Sequence, residues 1–273
     1  MTVFEIKDTY RNGILPRHWW QAWLCFVLDK PTSFLITDDN YVLTEAELSC
    51  FDDGIAKMLS GVPLAYLMGE QEFFGRIFKV NEHTLIPRPD TERLIEEVLG
   101  WAGSHDLQMG KLLDLGTGTG CIAITLAKAL PNYQITALDI SQDALLVAIE
   151  NAKNLSVDNC TFLQSNWYEN VHEKFDIIVA NPPYIAKDDE HLTALMAEPM
   201  TALVAEDDGL MDIKHIISGA REHLNAGGLL AIEHGYDQGR KVWAIFDEYG
   251  YQSLRSVQDY GGNDRLTMGV YGG

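Results

Sequence analysis

The spacing of apolar positions changes along the chain, and each change predicts a different kind of structure. Within residues 1–70, Trp19, Trp20, Trp23, Phe26 and Val27 recur at helical spacing. Thr44 and Glu47 form a capping-box pattern ahead of Leu48, Phe51, Ile55 and Leu59, and Gly61 and Pro63 close that helix. The aromatic cluster reads as core and no catalytic cluster accompanies it, so residues 1–70 are expected to form a small helical domain. Residues 71–89 break the period. FFGRIFKVNEHTLIP offers two short β-rich runs around Asn81-Glu82, which predicts a β-hairpin linker. Asp90 then stands where it would cap a helix through Leu94, Ile95, Val98 and Leu99.

From Lys111 onward short apolar runs alternate with helical stretches. LLDLG, ITALD, CTFLQ, FDIIVA and GLLAIEHG read as strands. Helices are predicted over 121–130, 144–155 and about 209–224, with another after GLLAIEHG. YQSLRSVQD and RLTMGVY, separated by GGND, read as a closing antiparallel hairpin. Strands alternating with helices predict an α/β fold with a parallel sheet over 90–273.

Composition narrows the partners more than the fold. A chain of 273 residues with 47% hydrophobic and 22% charged residues is neither disordered nor fibrous. Forty acidic residues against twenty Lys and Arg give a formal charge of −20, which disfavours nonspecific nucleic-acid binding. Cys25, Cys50, Cys121 and Cys160 form no CxxC pair and have no His at metal spacing. Free thiols in a reducing compartment and no metal are expected. The charged N-terminus carries no signal-like apolar core, and no run reaches 18 apolar residues. The expectation is a cytoplasmic monomer with neither nucleic acid nor membrane as partner.

Two motifs carry chemistry. Asp114-Leu115-Gly116-Thr117-Gly118-Thr119-Gly120 falls where a strand turns into a helix, and glycines there admit a ligand close to the backbone. A dinucleotide fingerprint would need glycine where Cys121 stands, and no Gly-Lys-Ser/Thr follows for a phosphate loop. The acid-GxGxG pattern resembles the first motif of class I S-adenosylmethionine-dependent methyltransferases. Asp139 ends the next strand, where an acid accepts ribose hydroxyls. A simple cap of the following helix, by Asp139 or Ser141, is the alternative.

The second motif is Asn181-Pro182-Pro183-Tyr184, at the carboxyl end of FDIIVA. Chance would produce it about 5 × 10⁻⁴ times in such a chain, so a mere strand stop is a poor explanation. An amide or aryl amine nitrogen is planar, conjugated and weakly nucleophilic. Methylating it requires its N–H groups to be held, and the Asn181 side-chain carbonyl and Pro182 backbone carbonyl are suitable acceptors. The prolines fix the backbone, and Tyr184 offers a flat face for the substrate.

Asn-Pro-Pro-Tyr is shared by amino-methylating DNA enzymes and protein glutamine methyltransferases. PLAYLMGEQEFFG (63–75) and LIPRPDTE (85–92), together with DLGTGTG and NPPYI in this order, resemble the peptide chain release factor glutamine N5-methyltransferases over essentially the whole chain. A sister family acting on a ribosomal-protein glutamine has Ser-Pro where this chain has Pro89-Asp90-Thr91. The resemblance implies a Rossmann-like class I methyltransferase domain over 90–273, a helical substrate-docking domain over 1–70 and a β-hairpin linker over 71–89. It implies S-adenosyl-L-methionine as cofactor, and the glutamine of the Gly-Gly-Gln loop of class 1 release factors as substrate. Gly116, Thr117, Gly118, Thr119, Gly120, Asp139, Asn166, Trp167 and Asn181 would contact the cofactor. Asn181, Pro182, Pro183 and Tyr184 would hold the glutamine, and Phe73, Arg88, Pro89 and Glu92 would line the substrate entrance. Asn166 stands where the family usually has Asp, so its contact to the adenine amine would carry no charge. Rival readings are the ribosomal-protein enzyme, an adenine N6-methyltransferase acting on nucleic acid, and a catalytically idle adaptor. His83 and His234 lie near these motifs without a metal or triad pattern and read as structural.

Overall fold

The structure, a computed structural model, describes residues 1–105 and 109–273. It divides into two compact units, Met1–Glu70 and Gln71–Gly273.

The first unit holds α1 (Val3–Tyr10), α2 (Arg17–Leu28), α3 (Phe34–Thr37), α4 (Glu45–Leu59) and α5 (Leu64–Met68). Its core is built on Trp20, Trp23, Leu24, Phe51 and Ile55, while Phe26 is 43% exposed. Helices α2 and α4 approach closely because Gly54 has no side chain: a Cβ there would meet the Trp23 ring at 2.2 Å. The Trp23 indole donates to the Phe51 carbonyl at 3.1 Å, which satisfies the buried polar end of the ring. The Thr44–Glu47 capping box forms, with Thr44 Oγ1 accepting from the Glu47 amide and Glu47 Oε2 from the Thr44 amide.

A two-stranded hairpin, β1 (Glu70–Phe73) and β2 (Arg76–Lys79), starts at the last residue of the first unit and opens the second. Its turn is Phe74-Gly75, not the expected Asn81-Glu82. Both turn residues take positive φ, 50° and 69°, as the tightest hairpin loops require. Asn81 instead closes a tight turn, its side chain accepting from the His83 amide and its carbonyl from the Thr84 amide. Asp90 does not cap α6 (Glu92–Ser104). The chain is already helical through a 3₁₀ turn at Pro89–Thr91, so no extended residue precedes the helix to act as cap. Asp90 lies 3.5 Å from the Arg265 guanidinium instead.

There follow β3 (Gly110–Leu115), α7 (Cys121–Ala129), β4 (Tyr133–Asp139), α8 (Gln142–Asn154), β5 (Cys160–Gln164) and β6 (Phe175–Ala180). A short turn α9 (Glu206–Gly209), α10 (Met211–His223), β7 (Leu224–Glu233), α11 (Gly239–Glu248), β8 (Gln252–Gln258) and β9 (Asp264–Val270) complete it. The seven-stranded sheet runs β5-β4-β3-β6-β7-β9-β8, parallel except for β9, which is antiparallel to both neighbours. Leu112, Ile135 and Ile177 face a core shared with α6 and α7, and Leu113, Leu138 and Ile178 one shared with α10 and α11. Both faces are covered at the centre of the sheet, so β3, β6 and the second half of β7 are nearly continuous buried runs, while the edge strands β5 and β8 are largely exposed.

The order of connection matters for the site. From β3 the chain moves outward to β4 and β5, then returns to lay β6 and β7 on the other side of β3. The carboxyl ends of β3 and β6 therefore flank the reversal point, where sheets of this kind bind ligands. Leu138, Leu115 and Ala180 are register partners across three strands. Asp139, Gly116 and Asn181 each follow by one residue and so emerge along one rim.

Candidate active site

A cavity of about 330 Å³ opens at that rim. Its floor is the glycine loop after β3. Gly116, Gly118 and Gly120 take φ of 72°, 53° and 79°, values that residues with a Cβ adopt only under strain. Gly118 would have open space for a Cβ, so the conformation and not crowding demands glycine there. Gly120 is different: a Cβ would stand 2.7 Å from Ile124 and 3.1 Å from Ala148, and this glycine seats α7 rather than lining the cavity. Gly116, Thr117, Gly118 and Thr119 all line it.

Two acids shape the loop. Asp114 is fully buried; Oδ2 accepts from the Thr117 hydroxyl at 2.7 Å, while Oδ1 has no partner among the described residues. Burial pushes its carboxyl up to about 7. Asp139 accepts from the Gly118 amide at 2.9 Å through Oδ2 and from the Ser141 amide at 2.9 Å through Oδ1. Burial raises it too, against these hydrogen bonds. Ser141, not Asp139, caps α8 through Ala144. A carboxylate has about four acceptor sites, so Asp139, which lines the cavity, keeps acceptor capacity beyond these two bonds.

Trp167 presents its ring to the same cavity, 3.6 Å from where a Gly116 Cβ would be. Asn166 lines it as well, but its amide nitrogen is committed to Glu169 Oε1 at 2.9 Å. Asp212, at the start of α10, also reaches the cavity that Trp167 lines, and burial raises its carboxyl. Nothing in its local sequence marks it.

At the other end stands Asn181, whose Nδ2 donates to the Thr91 hydroxyl at 3.2 Å, leaving Oδ1 free to accept. Pro183 lines the cavity beside it; Pro182 and Tyr184 do not. The Tyr184 ring packs against the core under α10, and its hydroxyl points to Glu233 Oε1 at 3.4 Å, not into a substrate space. Burial raises this phenol well above the ordinary tyrosine range. The motif is held from behind by Gln238, whose Nε2 donates to the Tyr184 carbonyl at 2.9 Å and the Asp208 carbonyl at 3.0 Å.

The predicted entrance residues separate. Arg88 lines the cavity and pairs with Glu198, which also accepts from the Ile86 amide at 3.0 Å. Glu198 is 5% exposed and fastens the segment after NPPY to the Leu85–Arg88 stretch. Phe73 is 1% exposed in the core against Phe78 and is not at the entrance. Glu92 supports the hairpin turn, accepting from the Phe74 amide at 2.8 Å, and Pro89 starts the 3₁₀ turn. His234 is fully buried with both ring nitrogens engaged, to Gly235 O and Thr267 Oγ1, and burial disfavours its charged form.

The lining chemistry suits a ligand without phosphate. Arg88 and His83 are its basic residues, and Arg88 is already paired. Asp139 offers an acceptor to ligand hydroxyls, Trp167 a flat face, and Leu138, Ile122 and Ile140 aliphatic walls. Among the described residues no group of three or more His, Cys, Asp or Glu could hold a metal, and no helix is long and apolar enough to cross a membrane.

Comparison with known proteins gives consistent matches. The family model described as PrmC N-terminal domain matches residues 15–69, and that described as Methyltransferase small domain matches residues 103–241. The release factor glutamine methyltransferase of Vibrio cholerae is 46% identical over 252 residues, covering 91% of this chain and 87% of that one. That of Salmonella typhimurium is 40% identical over 272 residues, covering 98% and 97%. Among solved structures, a methyltransferase from Pyrococcus furiosus superposes with a TM-score of 0.56 at 16% identity, over 81% of this chain and 99% of that one. The T. thermophilus 16S rRNA N2 G1207 methyltransferase, in complex with AdoMet and guanosine, gives 0.54 at 16% identity, over 74% and 49%. These two share the fold.

Proposed function

The chain belongs to the release factor glutamine methyltransferase family, and on that footing we propose that it methylates the side-chain amide nitrogen of the Gly-Gly-Gln glutamine in class 1 release factors, with S-adenosyl-L-methionine as donor. The observation that carries this reading is the orientation of Asn181. Its Nδ2 is spent on Thr91, so Oδ1 is the group it offers to a substrate amide. The Pro182 carbonyl would be the second acceptor, on a backbone that two prolines stiffen, although Pro182 itself does not line the cavity.

Gly116 to Thr119 would cradle the cofactor, Asp139 its ribose, and Trp167 its adenine, with Asp212 and Asn166 at the adenine edge. When bound, the cofactor supplies an activated methyl on a positively charged sulfur. The chain's own residues do the rest by positioning. Accepting both amide N–H groups orients the nitrogen and leaves its out-of-plane lobe for the methyl. Transfer would exchange an S–C bond for an N–C bond, leave the donor as a neutral thioether, and release one N–H proton to solvent. Residues 1–70, in this reading, dock the protein substrate.

Labelled S-adenosylmethionine supplied with intact release factor, its Gly-Gly-Gln Gln→Ala variant, a ribosomal-protein mixture and duplex DNA tests the reading. Label on intact release factor alone is expected. Label on ribosomal protein or DNA would move the activity to another acceptor, and no cofactor binding would leave only an adaptor. Deleting residues 1–70 should raise KM for release factor far more than for cofactor; equal changes would leave that unit a stabilising role only.

A further inference from the structure

Asn151 lies on α8 and is 1% exposed. Its side-chain amide serves three backbone groups. Oδ1 accepts from the Lys79 amide at 2.7 Å, while Nδ2 donates to the Lys79 carbonyl at 3.0 Å and to the Thr119 carbonyl at 2.9 Å. A carboxamide has two N–H donors and one carbonyl, so this pattern uses every part of it and fixes which way it faces. Aspartate, of the same shape, would set a carboxylate oxygen against two carbonyls, and an apolar side chain would give up all three bonds.

Both partners of Asn151 border the cavity. Thr119 lines it as part of the glycine loop. Lys79 ends β2, and the Asn81 turn that follows carries His83, Thr84 and Leu85 into the cavity wall. Asn151 does not line the cavity itself. Ala148, three residues earlier on α8, would stand 3.1 Å from a Gly120 Cβ, so one face of this helix receives the end of the loop.

We infer that Asn151 is a positioning residue for cofactor binding, fastening the glycine loop and the 83–85 wall to each other from outside the cavity. The inference rests on the reading of this cavity as the S-adenosyl-L-methionine site. Elsewhere the loop is held by its own backbone and by β4. The Thr117 amide donates to the Leu138 carbonyl at 2.7 Å, the Gly120 amide to the Thr117 carbonyl at 2.8 Å, and the Gly118 amide to Asp139. Asn151 adds the tie to the hairpin and draws the Thr119 carbonyl toward α8. Once freed, that carbonyl is able to turn its negative end to the cofactor's carboxylate, and binding must then order the loop. Asn181 shares none of these bonds, so the loss falls on cofactor affinity and not on the transfer step.

The test uses the full chain and measures cofactor Kd by calorimetric titration, kcat at saturating cofactor, KM for release factor and melting temperature for Asn151→Ala and Asn151→Asp. Kd is expected to rise about 10-fold in Asn151→Ala and about 100-fold in Asn151→Asp, the scale of lost hydrogen bonds and of donors replaced by a charged acceptor. Meanwhile kcat stays within about threefold and KM within about twofold of the wild type, because the transfer step keeps its contacts. A side chain that only fills space would make the isosteric Asp the milder change, so a smaller Kd effect in Asp than in Ala overturns the inference. An unchanged Kd with a lowered melting temperature, or kcat or KM moving as far as Kd, overturns it too. Should both variants fail to fold, hydrogen exchange of the wild type decides. Saturating cofactor should slow the Lys79 amide, which does not line the cavity, and an unaffected Lys79 amide overturns the inference. A wild type that binds no cofactor overturns the function proposed above, and this inference with it.

Discussion

The carbonyl oxygen of Tyr184 occupies the space that a side chain on Gly209 would need: a Cβ there would stand 2.0 Å from it. Gly209 also has φ of 78° and follows Asp207 and Asp208, both at positive φ. Gly209→Ala therefore adds overlap with backbone to left-handed strain. The expected loss is about 2–4 kcal/mol, with the NPPY segment displaced. Urea unfolding and methyl transfer should both worsen, and an alanine variant with wild-type stability would show that the segment yields freely.

Asp139 uses one oxygen for the Gly118 amide and the other for the Ser141 amide. Asn at this position must turn an NH₂ toward one of those donors. Asp139→Asn is thus expected to weaken cofactor binding about 10–100-fold, matching the loss of a charge-assisted hydrogen bond, while the fold persists. Calorimetric titration with S-adenosylmethionine checks it; an unchanged Kd would remove Asp139 from the cofactor site.

Asn181→Ala deletes the acceptor without touching the glycine loop. The expected result is a kcat lower by about 10²–10³ at nearly constant cofactor affinity. Single-turnover methylation of release factor separates the two quantities, and a variant as fast as the wild type would disprove the clamp.

Asp114 and Glu233 both sit near 7 in the folded chain, far above their ordinary values of 3.8 and 4.5. Between those limits the folded state holds protons that the unfolded state has released, so stability falls as pH rises through that window. The formal charge of −20 acts in the same direction. Glu5, Glu47 and Asp259 are lowered by hydrogen bonds, and their contribution is lost only at pH below the ordinary carboxylate range. His234, lowered by burial, opposes the fall of stability with pH around 6.5, but Asp114, Glu233 and the raised Asp139 outnumber it, so the urea midpoint should be higher at about pH 5.5 than at pH 8. Asp114→Asn together with Glu233→Gln should flatten the difference, and a midpoint that rises with pH would contradict the assignment.

The first unit offers a control. Thr44→Ala removes half of the capping box and is expected to cost about 1 kcal/mol of stability with kcat unchanged. A melting curve and one activity measurement suffice to check both.

Sequence alone determined what depends on neighbours along the chain. The switch from helical spacing to short continuous apolar runs placed the strands, because a strand buried on both faces needs apolar residues at successive positions. Glycines at 116, 118 and 120 announced a turn that only they adopt readily, and Asn181 announced its chemistry by following an apolar strand. The hairpin was legible as a hairpin, but its turn was not, since Phe74 takes a left-handed φ that its residue type does not advertise. Asn166 was legible as a departure, yet its amide is turned to Glu169 while Asp212 and Trp167 both line the cavity.

What only the tertiary structure decided is which polar groups meet across long separations. Thr91 and Asn181 are 90 positions apart, and Arg88 and Glu198 are 110 apart. Each of these residues is ordinary where it stands in the chain. Tyr184 belongs to a legible motif, but the crowded core under α10 and the carboxyl of Glu233 decide that it turns inward. Strand order brings β3 beside β6, and that pairing, settled by burial of both faces of the sheet, makes one site of a glycine loop and an asparagine that local pattern could only mark separately.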